Sequence, residues 1–221
     1  MTSSAPETTL SPRERLLETA RALFYSRGVN NVGIDLILAE SGVAKATLYK
    51  YFRSKDDLIV EYMRRGDVRW CDWLRAGVER CSSALETRLM AVWDVLEEWF
   101  ALPLFRGCLL SNVVIDLAPL PEHPARAVLL EHKERVRTYF EELARLAAVP
   151  DPRAVSETWM LLMEGATVVA ARERSTAPAG QARAMAQALL GGSASSARAP
   201  VAEPPRDARD HAMLEHLDLE L

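Results

Sequence analysis

No proline falls between Arg13 and Leu102, and strand-like alternation of apolar and polar residues is scarce along that stretch. Such a span keeps every backbone N–H available for helical bonding and contains no ring that would break a helix. Its apolar residues recur at three- and four-residue intervals, the period of helices that bury one face. The expected fold is all-α, with about nine helices: an N-terminal three-helix unit followed by a larger helical body.

Local punctuation sets the element boundaries. Ser11 reads as an N-cap, Pro12 as the first helical residue and Glu14 as the partner completing a capping box. Leu16, Ala20, Leu23 and Phe24 form the apolar stripe, and Gly28 ends the helix. A short second helix spans 34–41, Gly42-Val43 is a tight turn, and a third helix covers 44–52. Ser54 caps a fourth, running from 55 to about 80. Ser83 and Glu86 read as a capping box for the next, which Pro103 breaks. Periodicity alone allows residues 107–117 to be a buried helix or a strand; the helical context selects a helix. Further helices are expected over 125–148, from Pro152 to about 174, and from Pro178 to about 190. From Gly191 the composition is that of a linker, ending in a short helix or a frayed tail.

Residues 42–58, GVAKATLYKYFRSKDDL, carry the strongest functional signal. Leu48 and Phe52, spaced i,i+4, anchor one face of a helix too short to stand alone. Lys45, Thr47, Tyr49, Lys50 and Tyr51 offer side chains that reach phosphates or base edges. One face held by a scaffold and one basic, aromatic face held out is the construction of a DNA recognition helix. Charge agrees in sign: residues 12–65 hold ten basic against seven acidic side chains, whereas the remainder holds 17 against 24. Ordinary solvated surface charge is the alternative, which so small an excess does not exclude.

Residues 12–62 resemble the N-terminal domain of TetR/AcrR-type transcriptional regulators, through LFYSRG, IDLILAESGV and AKATLYKYFRSKDDL. The resemblance implies an N-terminal tail (1–10), a helix-turn-helix DNA-binding domain (11–57, motif about 34–53), an effector-binding and dimerisation domain (58–190) and a flexible C-terminal tail (191–221). It places Lys45 and Thr47 in the major groove, and Tyr49, Lys50 and Tyr51 on phosphates or base edges. One tyrosine packing inside the head is the alternative for Tyr49 and Tyr51. It puts Lys55 on a phosphate. Two positions depart from the family pattern. Ala44 stands where a capping Ser is common, a loss of about 1 kcal/mol of helix stability. Val32 stands where Thr is common, leaving the backbone N–H of Gly33 for a phosphate.

For the body, the resemblance implies a ligand cavity between helices, with Trp73, Trp93, Phe100, Asn112, Asp116, Trp159 and Met163 as candidate lining residues. Core packing is the alternative for the tryptophans, and a bond to a neighbouring helix is the alternative for Asn112 and Asp116. Gly165, Ala166, Ala170, Ala182, Ala186 and Leu189 give the last two helices small-residue surfaces suited to a dimeric four-helix bundle or to an intrachain pair. The implied partners are a pseudo-palindromic double-stranded operator, a second copy and a small, largely apolar effector that releases a repressor. A DNA-binding dimer governed by protein contacts is the alternative.

Other classes find little support. There is no Gly-rich phosphate loop, HExxH or GxSxG, so no enzyme is expected. Cys71, Cys81 and Cys108 form no CxxC pair and no zinc spacing, and the four histidines do not fall at ligand spacing, so no metal or cofactor is expected. His123 reads as exposed and His132 as part of a polar helix face. Cys71 and Cys81 on one helix stand about 15 Å apart, too far for a disulfide. No apolar run is long enough to span a bilayer and no secretion signal opens the chain, so a reducing cytoplasm is the expected location.

Overall fold

The computed structural model describes residues 10–191, and its regular structure is α-helical. Nine α-helices follow one another among these residues: α1 Pro12–Arg27, α2 Ile34–Ser41, α3 Lys45–Tyr51, α4 Lys55–Cys81, α5 Arg88–Phe100, α6 Leu109–Asp116, α7 Ala125–Leu146, α8 Pro152–Glu173 and α9 Ala177–Leu189. The expected helix over 107–117 is α6. Positions 1–9 and 192–221, including most of both expected tails, lie outside the described residues. None of the described helices is long and apolar enough to cross a membrane.

The described residues form two compact units, one of residues 10–65 with Leu110–Val128, the other Gly66–Leu109 with residues 129–191. Helix α4 gives its first turns to the first unit and the rest to the second.

In the first unit, α1 packs on α2 and α3. Leu16, Leu17, Ala20, Phe24, Ile37, Leu48, Phe52, Leu58 and Ile59 are buried there, and the Phe24 and Tyr62 rings sit 5.5 Å apart. The Ser11 hydroxyl accepts the Glu14 N–H at 3.2 Å as a cap should. The Glu14 carboxylate does not close the capping box: it takes a bidentate pair from Arg65, at 2.5 and 2.9 Å. A forked partner three turns along a packed helix outcompetes a single backbone N–H. Gly28 leaves α1 at φ 78°, a conformation that favours glycine, and an added Cβ would meet Asp116 Oδ2 at 2.8 Å.

The second unit is built around one apolar cluster. Trp70, Trp73, Leu74 and Val78 of α4, Trp93, Leu96, Trp99 and Phe100 of α5, Val136, Phe140 and Leu143 of α7, Trp159 and Met163 of α8 and Ala179, Ala182 and Ala186 of α9 meet in it. The Trp93 and Trp159 rings lie 6.0 Å apart, and the Trp159 indole donates to the Leu89 carbonyl at 3.3 Å. The capping box expected at Ser83 and Glu86 is not used. A 3-10 turn at Leu85–Thr87 intervenes, and Ser82 and Thr87 bond through their hydroxyls instead.

Two histidine expectations are corrected. His123 is buried, its Nδ1 accepting the Ala125 N–H at 3.1 Å at the start of α7 and its Nε2 3.3 Å from Asp56 Oδ1. His132 is 2% exposed, with its Nδ1 2.8 Å from Asp67 Oδ1. Burial works against its charged form, but hydrogen bonds to Asp67, Cys108 and Cys71 outweigh that and push it up to about 10. Periodicity gives which face a residue occupies, not whether another helix covers that face.

Candidate nucleic-acid interface

The site is assembled from α2, the turn after it and α3. Helix α2 ends at Gly42, which takes the left-handed conformation at φ 62° and donates its N–H to the Leu38 carbonyl at 3.1 Å. A residue with a Cβ adopts that geometry at a cost, so glycine fits the turn. Val43 then buries itself, and Ser41, itself buried, accepts the Val43 N–H at 3.4 Å. Ala44 is the N-cap of α3 and makes no side-chain cap bond, as its lack of a hydroxyl requires.

Only seven residues long, α3 depends on its anchors. Leu48 is 0% exposed and Phe52 3% exposed, with the Arg13 guanidinium 5.6 Å from the Phe52 ring centre. Lys45, Tyr49, Lys50 and Tyr51 stand in solvent on the remaining surface, with Thr47 half-buried. Tyr49 is 47% and Tyr51 40% exposed, so neither ring packs inside the head. Lys45 lies 3.7 Å from the Asp35 carboxylate of α2, in an exposed pair worth little. Arg53, not singled out from the sequence, adds an exposed cation three residues beyond Lys50, while its N–H donates to Asp57 at 3.0 Å. Its signal was present, a basic residue just past the anchoring Phe52.

Gly33 is the N-cap of α2 and is exposed, and a Cβ added there would meet nothing within 4 Å among the described residues. Val32 is 0% exposed, part of the core. Lys55, expected on a phosphate, already has a partner within the protein. Its ammonium donates to the Val29 carbonyl at 2.5 Å, and burial, only partly offset by Asp56, lowers its pKa from the usual lysine range.

The residues expected to line an effector cavity are divided between the two units. Trp73, Trp93, Phe100, Trp159 and Met163 are in the apolar cluster of the second unit. Asn112 and Asp116 belong to the first unit. Asn112 is exposed, and Asp116 Oδ2 accepts the Val29 N–H at 3.1 Å while its carbonyl accepts from Asn30. The bond to a neighbouring segment is what the structure realises for Asp116, because the end of α6 reaches the turn after α1. Of the six expected interface residues, Ala166, Ala170, Ala182 and Ala186 are buried within the chain, where α8 and α9 pack together. Gly165 and Leu189 are exposed, and Leu161, Val168 and Met185 add large exposed apolar side chains on the same two helices.

Comparison with known proteins agrees with this architecture. Residues 16–62 match the model of the bacterial regulatory proteins, tetR family. The chain is 22% identical over 178 residues to the HTH-type transcriptional regulator YjdC of Escherichia coli, spanning 80% of this chain and 93% of that protein. In fold it is similar to the reduced form of Escherichia coli NemR, with TM-score 0.71 at 22% identity over 80% of this chain and 95% of that one. It is also similar to SCO4454, a TetR-family transcriptional regulator of Streptomyces coelicolor, with TM-score 0.73 and 30% identity over 81% of this chain. Because that identity extends over 94% of SCO4454, the chain belongs to the TetR family of DNA-binding helix-turn-helix transcriptional regulators.

Proposed function

We propose that the protein is a homodimeric repressor that reads a pseudo-palindromic operator and leaves it when a small, largely apolar effector binds the body. The observation that carries the reading is the two-sided α3. Its Leu48 is fully buried, while Lys45, Tyr49, Lys50 and Tyr51 stand together in solvent. Two such helices, one per subunit, enter successive major grooves about 34–36 Å apart. Lys45, Lys50 and Arg53 supply phosphate attraction, and the two tyrosines supply base-edge or phosphate contacts.

Exposed apolar rows support the dimer. Leu161, Gly165 and Val168 share one face of α8, and Met185 and Leu189 one face of α9. Covering such rows with their two-fold copies removes them from water. Two buried indole N–H groups, on Trp70 and Trp93, have no hydrogen-bond partner among the described residues, which supports an effector that brings an acceptor into an aromatic setting. Release follows if the effector prefers a dimer whose recognition helices no longer match the groove spacing; the effect is limited by its differential affinity.

The test is selection of bound genomic fragments by the purified protein at physiological salt, followed by affinity measurements across salt concentrations. A shared inverted repeat with a steep salt dependence supports the reading. Weak binding without a common motif refutes it.

A further inference from the structure

We propose that Asp67, Cys71 and His132 form a binding site for a borderline-soft divalent cation of the zinc class. Asp67 and Cys71 stand one turn apart on α4, and His132 approaches from α7. Asp67 Oδ1 is 2.8 Å from His132 Nδ1 and 3.2 Å from Cys71 Sγ, and that Sγ is 3.9 Å from the same Nδ1. All three residues are buried, and one ligand atom from each lies within 4.8 Å of the others. No local spacing in the sequence announces this group, because its third member comes from a different helix.

The distances fit an ion. Zinc bound tetrahedrally to sulfur at about 2.3 Å and to nitrogen and oxygen at about 2.0–2.2 Å holds its ligands roughly 3.3–3.6 Å apart. The three observed separations straddle that range, so small side-chain rotations suffice. A carboxylate, an imidazole and a thiolate form a mixed O, N, S set that suits zinc rather than calcium or magnesium. The Asp67 carboxylate is also oriented from behind: Arg135 donates to its Oδ2, leaving Oδ1 directed at His132 and Cys71. The Arg135 side chain is 45% exposed, so the cluster lies one residue below solvent. Cys108 is hydrogen-bonded to His132 and accepts from Lys133 at 3.5 Å, which places a second thiol beside the group.

Binding takes the thiolate of Cys71 and the neutral imidazole of His132, and any proton the metal displaces passes to solvent. The bound ion ties α4 to α7 within the body. This site is independent of the DNA-reading assignment.

The test is titration of the full-length protein, freed of metal by chelator, with Co2+ as a spectroscopic probe and Zn2+ as competitor. The expected result is one equivalent per chain, with a thiolate-to-cobalt charge-transfer band and tetrahedral ligand-field bands that Zn2+ abolishes. Cys71→Ser removes the charge-transfer band, His132→Gln weakens binding at least ~10-fold, and Cys81→Ser, at an exposed thiol, changes neither. Circular dichroism checks that each variant is folded. The wild-type titration needs no variant: absence of the band there overturns the site. So does a band lost with Cys81→Ser or Cys108→Ser yet retained in Cys71→Ser.

Discussion

The carboxylate of Asp116, at the end of α6, accepts the backbone N–H of Val29 at 3.1 Å. On the other side of the same residue, the Val29 carbonyl accepts the Lys55 ammonium at 2.5 Å. The turn between α1 and α2 is thus held by side chains from two other helices, 26 and 87 residues away in sequence. Both partners are charged, which strengthens each bond relative to a neutral pair.

Removing the Asp116 carboxylate should loosen that turn. Asp116→Ala is expected to lower stability by about 1–2 kcal/mol, since a backbone N–H loses a charged acceptor. Urea unfolding measures this. A double-mutant cycle with Lys55→Ala should show coupling, because both bonds converge on one residue. Additive losses would mean that the two bonds act separately.

Substitutions on α3 should separate reading from attraction. Lys50→Ala is expected to reduce the slope of log affinity against log salt by about one, weakening all sequences alike if it holds a phosphate. Tyr49→Ala, expected to cost about 1–3 kcal/mol if the ring meets a base edge, should weaken the operator more than random DNA. Both side chains are exposed, so neither change should move the unfolding midpoint. Lys55→Ala should differ from both by lowering thermal stability together with affinity.

Gly77→Ala tests close packing in the second unit. An added Cβ would meet Val95 Cγ1 at 2.7 Å, and Val95 is itself 0% exposed with no room to retreat. Alanine's helix propensity gains about 1 kcal/mol over glycine. Overpacking costs about 1–3 kcal/mol, so the net change should be a loss. Val95→Ala in the same chain should recover part of it, as thermal unfolding of both variants will show.

The acid limb of stability should depend on Glu61. Burial disfavours its charge, but hydrogen bonds from Arg13 and Arg65 outweigh this and hold its pKa below the usual glutamate value. A carboxyl depressed in the folded state adds stability above its unfolded pKa, and loses it as pH falls through the folded value. Stability should therefore decline below about pH 5. Glu61→Gln should flatten that decline and lower stability at neutral pH. Thermal midpoints measured from neutral to acid pH decide the matter, an unchanged profile counting against the role.

Leu161→Glu combined with Met185→Glu should yield a folded monomer by sedimentation, because both side chains are at least 60% exposed in the single chain. Operator affinity should fall with the dimer, since each half-site then binds alone. A dimer that survives both charges would place the interface elsewhere.

The elements were legible in the sequence because their causes are local. Ser11 and Asp151 cap their helices with the residue three positions on, and Gly42 turns the chain where its own backbone requires it. The two-sided pattern around Leu48 is likewise contained within seven residues. These are interactions between neighbours, and neighbours are what a sequence displays.

Tertiary structure decided the rest, because partner choice depends on which helices pack. Asp116 holds the Val29 N–H, the alternative to a ligand contact, and Lys55, expected on a phosphate, also reaches the Val29 carbonyl. Ala166, Ala170, Ala182 and Ala186 offered a small-residue surface that the chain buries within itself, leaving the larger Leu161, Val168 and Met185 outside. His132 finds Asp67 65 residues away. Helical period fixes the face on which a side chain stands, but a face becomes core, interface or surface only when another helix covers it or leaves it bare.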